Sequence, residues 1–242
     1  MGAPIVVTNF QLPQRFQIIN GTSSFDAGIR ILPFSGASAV ATVVSGKLVS
    51  KLKVPSIYII LLGAVLQVIG YAFLGTLQPS ATIAKKIYGF QVIAGVGCAF
   101  SYSNLMMLVA FVVEKRDAGK LNASPPPYTQ QNLLDKLVDV ASAVTLGAMN
   151  QFRGMGSAIG LAIVTSIFNY HAGSQLRKLG ISDPLTTVIT QRRKALPPAL
   201  QDDIRSILSD GYNQQMLTLC AFGAAQVPVA LLLWRRKQLV AV

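Results

Sequence analysis

The chain has 242 residues, of which 52% are hydrophobic and only 12% are charged, and its formal net charge is +12. A soluble domain usually contains about a quarter charged residues, so this composition argues against a soluble globular protein. The basic excess does not indicate nucleic-acid binding, because the lysines and arginines flank apolar stretches and do not cluster on a soluble module. Only Arg153 lies well inside such a stretch.

Five apolar stretches are each long enough to cross a bilayer as a helix, which takes roughly 20 residues. They predict spans at residues 27–50, 56–77, 87–113, 141–169 and 211–234. Residues 1–18 predict a partial span, because their apolar run is too short to cross unaided. The sequence therefore predicts an all-α integral membrane protein with about five complete transmembrane helices plus a partial first helix, forming a single transmembrane helical domain over residues 1–242. No signal peptide is recognisable.

Two connections between the predicted spans are long. Residues 114–140 include Pro125-Pro126-Pro127, which cannot lie in a helix interior. Residues 170–210 form the other link. In its second half an apolar stripe that begins near Pro198 predicts a short surface helix that ends at Gly211. The basic residues divide evenly between the two sides, so charge counting leaves the orientation open.

Groups for catalysis or metal binding are scarce. The sequence has no GxxxxGK[ST] phosphate loop, no HExxH motif and no cysteine pair at metal-ligand spacing. Cys98 and Cys220 both fall inside predicted spans, where thiols act as small apolar residues. His171 is the only histidine, and no carboxylate lies deep in a span. These observations predict a protein that is not an enzyme and has no cofactor or metal.

Polar side chains inside the predicted spans are candidates for a transport path, because each needs a partner or water within a membrane. They are Gln67, Gln91, Tyr102, Asn104, Asn150, Gln151 and Arg153. Each of them could instead make an interhelical hydrogen bond, and Arg153 could reach the membrane interface. Next to Arg153, Gly154, Gly156 and Gly160 form a small-residue face with GxxxG spacing, which predicts close helix packing.

Three segments carry a resemblance to one transporter family. Met149–Ala162 resembles the penultimate span of the fungal fourteen-span drug:proton antiporter branch of the major facilitator superfamily, although Ser157 stands where that branch usually has a second glycine. Leu12–Gln17 also resembles this branch, and Ala27–Phe34 is similar to its AGIRLLPF entry to the next span. The matches together run from about residue 11 to residue 170.

A fourth segment is similar to the tight basic loop of the superfamily. It contains Gly46, Lys47 and Lys51 but lacks the aspartate and the arginine pair of that motif. The resemblance implies the C-terminal six-helix half of a major facilitator fold. It also implies that residues 114–140 are a cytosolic link and that residues 170–210 are extracytosolic. Because the family usually runs directly from a short turn into the next span, Ala118–Asp139 are a possible insertion, such as a retained intron. The alternative is a genuine cytosolic loop that contains a short helix.

The resemblance further implies a secondary transporter. When whole, such a protein would couple proton entry to efflux of small amphipathic molecules such as drugs or toxins, and this half is expected to be inactive alone. Asn150, Gln151 and Arg153 are the preferred path residues because the family match includes them. The expected partners are the lipid bilayer, a small-molecule substrate, protons, and an N-terminal half or another carrier, with no nucleic acid. The plasma membrane is favoured over a vacuolar or other internal membrane.

Two alternatives remain open at this point. The chain could be a non-transporting scaffold or regulator that pairs through the Gly156–Gly160 face, or an intramembrane enzyme whose catalytic groups are not evident. Asn20-Gly21-Thr22 and Asn122-Ala123-Ser124 are N-glycosylation acceptors. Three predicted spans separate them, so they should face opposite sides of the membrane, and the orientation that the resemblance implies predicts a glycan on Asn20.

Overall fold

A computed structural model describes residues 2–78, 83–121, 128–181 and 198–232. These residues form seven helices and no strands, which confirms the all-α prediction. The helices are α1 (Gly2–Asn20), α2 (Ser24–Ile29), α3 (Leu32–Ser50), α4 (Ser56–Leu74), α5 (Lys86–Leu121), α6 (Tyr128–Lys178) and α7 (Pro198–Leu232).

Four helical stretches in the described part of the chain are long and apolar enough to cross a membrane. They are Ser24–Ser50, Ser56–Leu74, Lys86–Leu108 and Leu200–Leu232, and each overlaps a predicted span. The predicted span at residues 141–169 lies within α6 but is not among the four. Gln151 and Arg153 are the reason, since they lower the mean hydropathy of its otherwise apolar core. That this segment crosses the membrane remains a prediction.

Several helices are longer than the spans predicted for them. α1 continues to Asn20, α5 continues to Leu121, and α6 already begins at Tyr128, so most of the link predicted at residues 114–140 is helical. The three prolines of that link lie outside the described residues, and so does the acceptor Asn122.

The predicted helix end at Gly211 is wrong, because α7 runs through this residue without interruption. Gly211 instead lets another helix approach closely. A Cβ atom there would lie 2.8 Å from Cδ2 of the Phe168 ring on α6. The same ring stacks in a tilted geometry on Tyr212, with 4.7 Å between the ring centroids. A glycine ends a helix when it adopts the left-handed conformation. At Gly211 the packing of the Phe168 ring favours the helical conformation instead.

The crossing of α4 and α5 is close and depends on glycine. A Cβ atom at Gly97 would lie 2.5 Å from the backbone nitrogen of Gln67 and 2.8 Å from the carbonyl oxygen of Gly63. A Cβ atom at Gly70 would lie 2.6 Å from the backbone nitrogen of Ala94. α1, α3 and α7 pack around this crossing and contribute to the main core. Its largest fully buried members are Tyr71, Leu74, Leu12, Phe16, Phe34, Met216 and Leu219.

Candidate functional site

Gln67 links three helices at the centre of the bundle. Its side chain is 1% exposed, and its Nε2 atom donates to the carbonyl oxygen of Gly97 at 3.2 Å and to Oγ of Ser101 at 2.9 Å. The amide of Gln226 on α7 exchanges hydrogen bonds with it, with Gln226 Nε2 donating to Gln67 Oε1 at 3.1 Å. Every polar atom of this predicted path residue therefore makes an interhelical hydrogen bond.

Gln91 and Asn104, both on α5, are also completely buried. Asn104 donates from Nδ2 to the carbonyl oxygen of Phe100 at 2.8 Å, while its Oδ1 atom has no partner in the described part of the structure. Neither polar atom of the Gln91 amide has a described partner. Buried amides are nearly always hydrogen-bonded, so Gln91 is the more unusual of the two.

The predicted path residues on α6 form one group at the surface of the bundle. Asn150 and Gln151 are exposed, and Arg153 is half-buried. The guanidinium carbon of Arg153 lies 4.8 Å from the centroid of the Tyr102 ring on α5, a cation–π geometry. The structure therefore brings Tyr102 together with Arg153, while Gln67, Gln91 and Asn104 lie in the interior.

The helix α1 fixes the aliphatic part of Arg153. A Cβ atom at Gly2 would lie 2.5 Å from Cγ of Arg153 and 2.5 Å from Oγ of Ser157, so the arginine packs directly on the α1 backbone. Ser157 donates to the carbonyl oxygen of Arg153 at 2.8 Å. The stem of the arginine is thus held by α1, and its charged end is held over Tyr102.

Of the three glycines predicted to pack helices, only Gly160 does so in the described structure. A Cβ atom at Gly160 would overlap Cβ of Ala3 on α1, whereas nothing lies within 4 Å of such an atom at Gly154 or Gly156. Gly156 borders an open, mainly apolar groove of about 330 Å³ between α1, α6 and α7. No described helix packs on Gly154 or Gly156, because α1 passes nearer to Gly160, and their role in helix packing remains a prediction.

The basic-loop residues lie at the end of α3. Lys47 and Lys51 are exposed, and no atom lies within 4 Å of a Cβ placed on Gly46. Lys53 has a positive φ of 52°, which turns the chain toward Pro55 and α4. Their assignment to a family motif remains a prediction. Among the described residues, no three histidine, cysteine, aspartate or glutamate side chains are grouped to hold a metal ion.

Two buried polar centres on α1 were not predicted from the sequence. Arg15 is 4% exposed and donates from Nη1 to Oδ1 of Asn213 at 2.7 Å. Thr8 shares a 2.8 Å hydrogen bond with the hydroxyl of Tyr71, which also donates to the carbonyl oxygen of Pro4 at 3.0 Å. In the sequence, the one indication of these centres is Arg15, which comes late in the first apolar stretch. An arginine at such a position is easily interpreted as a residue that flanks the membrane.

Comparisons with known proteins identify relatives along nearly the whole chain. The MFS-type transporter FPY5 of Fusarium mangiferae is 32% identical over 238 residues, which are 98% of this chain and 36% of the relative. The efflux pump DEP3 of Alternaria brassicicola is 27% identical over 90% of this chain and 35% of its own length. The MFS-type efflux pump elcC of Phaeosphaeria nodorum is 26% identical over 89% of this chain and 34% of its own length.

No protein-family model matches the sequence, and no solved structure matches it. The chain spans about a third of the length of these three relatives, which carry names of transporters or efflux pumps. Its apolar helices agree with a multi-pass membrane protein. The chain is therefore a homologue of the fungal MFS-type transporters and has their all-α membrane architecture over the third of their length that it matches.

Proposed function

We propose that this chain supplies the C-terminal half of a secondary transporter that exports small amphipathic molecules in exchange for protons. The observation that carries the proposal is the match to the MFS-type transporter FPY5 over 98% of the chain. Because the match covers only 36% of that relative, a second half would supply the other wall of the path. Secondary transporters bind substrate near the bilayer midplane, at the interface between two repeats.

The polar group on α6 supports the same function. Asn150 and Gln151 are exposed on a helix whose flanking residues are apolar, and amide side chains are costly when they face lipid. A second wall or a water-filled path would cover them. Phe152 is 74% exposed and Met155 is 60% exposed on the same helix, so the path would offer both polar and apolar contacts. That mixture suits an amphipathic substrate.

The test is export from yeast cells of a fluorescent amphipathic dye. We expect no export from cells that make this chain alone. We expect export that depends on the proton gradient when the chain is produced with the preceding two thirds of the Fusarium mangiferae relative. If the folded chain reaches the membrane but never supports export with this partner, the result would contradict the transporter proposal and favour a scaffold.

The membrane that holds the protein is a separate question. A fluorescent tag on the chain would show whether the chain reaches the plasma membrane, as we propose, or an internal membrane.

Arg153→Ala should lower the initial export rate of the paired protein about tenfold or more, because the variant removes the charge held between Tyr102 and the proposed path. Arg177→Ala is the matched control, since Arg177 is exposed in the last turn of the same helix. Equal rates for Arg153→Ala and the unmodified protein would remove Arg153 from the path. Size-exclusion profiles of both variants check that folding is preserved.

The orientation can be tested with the acceptor Asn20, the last residue of α1. The Thr22 N–H donates to the carbonyl oxygen of Phe16 at 3.3 Å, and the Thr22 hydroxyl is buried. Asn20 itself is half-buried. We therefore expect no glycan on Asn20 as it stands, although the proposed orientation places it outside the cell.

A glycine-serine spacer that contains a glycosylation acceptor can be inserted between Thr22 and Ser23. We expect this acceptor to acquire a glycan. The measurement is an increase in apparent mass that a glycosidase reverses. Absence of sugar there, together with sugar at Asn122, would reverse the proposed orientation. Asn122→Gln is the control for that second acceptor.

A further inference from the structure

A cavity of about 220 Å³ lies at the end of the bundle where α1 and α4 finish and α5 begins. Its apolar wall includes Phe16 and Ile87, both of which are nearly completely buried. Arg15 and Lys86 contribute positive charge to the other side. The cavity is distant in sequence from the Asn150–Arg153 group and includes none of the proposed path residues.

Arg15 is a buried cation without a described anionic partner. Its described hydrogen bonds run to neutral acceptors, namely Oδ1 of Asn213 at 2.7 Å, Oγ of Ser209 at 3.3 Å and the carbonyl oxygen of Leu77 at 3.5 Å. Two of these distances are long for N–H···O bonds. A guanidinium has five N–H donors and strongly prefers paired oxygens of a carboxylate or phosphate when it is removed from water.

The described residues that line the cavity do not supply that anion. None of the residues that line it is acidic. Asp210 follows Ser209 in the chain and attracts Arg15 electrostatically, but it is exposed and forms no described ion pair with Arg15. An uncompensated buried charge is costly. An anion bound in the cavity would offset this cost, and Lys86, which is exposed at the cavity mouth, would attract it.

We propose that this cavity binds an oxyanion, a phosphate or a carboxylate, that is attached to an apolar tail. The oxyanion pairs with Arg15 and Lys86, and the first part of the tail packs on Phe16 and Ile87. The two sources of such a ligand are a lipid and a free amphipathic acid. This site does not depend on the proposed transport activity, so failure of either proposal leaves the other standing.

The experiment measures the Tm of the purified chain in maltoside micelles with four additives. These are dioleoyl phosphatidate, sodium oleate, inorganic phosphate and the zwitterionic dioleoyl phosphatidylcholine. We expect phosphatidate or oleate to raise Tm more than phosphatidylcholine does, since ligands that bind the folded state stabilise it.

The sizes of the Tm shifts identify the ligand. A larger shift with phosphatidate assigns the site to a lipid headgroup, and a larger shift with oleate assigns it to a free acid. Equal shifts with phosphatidylcholine, or shifts with none of the four, would overturn the proposal. An equal shift with inorganic phosphate would overturn the role of the apolar tail.

Two adjacent lysines give a matched pair of variants. Lys86 lines the cavity, whereas Lys85 is exposed and does not. Lys86→Glu should weaken apparent binding of the anionic ligand about fivefold, and Lys85→Glu should leave it nearly unchanged. Equal weakening by both variants would show a diffuse surface effect and reject the site. Arg15→Gln, which keeps N–H donors without the charge, should abolish the Tm shift. If that variant does not fold, the lysine pair still decides the result.

Discussion

Replacing Gly97 with leucine should prevent the bundle from assembling. The new Cβ atom would lie 2.5 Å from the backbone nitrogen of Gln67 and 2.8 Å from the carbonyl oxygen of Gly63. These are backbone atoms, so no side-chain rotation relieves the overlap, and α4 would have to separate from α5. Overpacking typically costs 1–3 kcal/mol when neighbours can adjust, so we expect a loss of at least about 3 kcal/mol here.

Gly89→Leu is the matched control for Gly97→Leu. Gly89 lies on the same helix and is exposed, and no atom lies within 4 Å of a Cβ placed on it. Fluorescence-detected size-exclusion chromatography in detergent should show aggregated or degraded Gly97→Leu beside a monodisperse peak for Gly89→Leu. A normal peak and an unchanged Tm for Gly97→Leu would mean that α4 and α5 do not cross as described.

Gln67→Leu should cost about 2 kcal/mol of stability, the second-largest effect that we expect. The substitution keeps most of the side-chain volume but removes the amide that bonds to Gly97, Ser101 and Gln226. The amide of Gln226, which is 7% exposed, would then lose its described partner. Unsatisfied buried groups carry most of this cost, since interhelical hydrogen bonds in membrane proteins average only about 0.6 kcal/mol each.

A double-mutant cycle isolates the Gln67–Gln226 pair. Gln67→Leu combined with Gln226→Leu should cost less than the sum of the two single variants, because the double variant leaves neither amide of the pair unpaired. The measurement is the free energy of unfolding from denaturant titration in mixed micelles. Gln14→Leu, at an exposed position on α1, controls for the change of residue type. Strict additivity would show that the two amides do not interact.

The structure shows which polar residues of the spans lie inside the described bundle and which lie at its surface. Seven were candidates from the sequence, and their burial divides them into an interior set and a surface set. Gln67 and Asn104 bond to neighbouring main-chain or side-chain atoms, whereas Asn150 and Gln151 face outward beside Arg153. Hydropathy identifies a polar residue within a span, but only the rotation of its helix determines whether it faces the core or the outside.

The sequence alone determined the class of this protein. Membrane helices depend on the mean hydropathy of about 20 consecutive residues, which is a local property, so four of the five predicted spans overlap the apolar helices of the structure. The transporter family was also predictable, because residues such as Arg153 and Ala27–Phe34 form short local motifs. Homology over 98% of the chain to an MFS-type transporter confirms it.

Tertiary structure alone decided how these helices meet. GxxxG spacing pointed to Gly156 and Gly160, and Gly160 does pack on α1, yet the close crossing of α4 and α5 uses Gly63, Gly70 and Gly97, which share no such spacing. Gly211 continues a helix because Phe168 packs on it, and Arg15 is buried because Asn213 lies 198 residues away in the chain and beside it in space. Contacts of this kind join residues that are distant in sequence, so they cannot be predicted from the residues next to each partner in the chain.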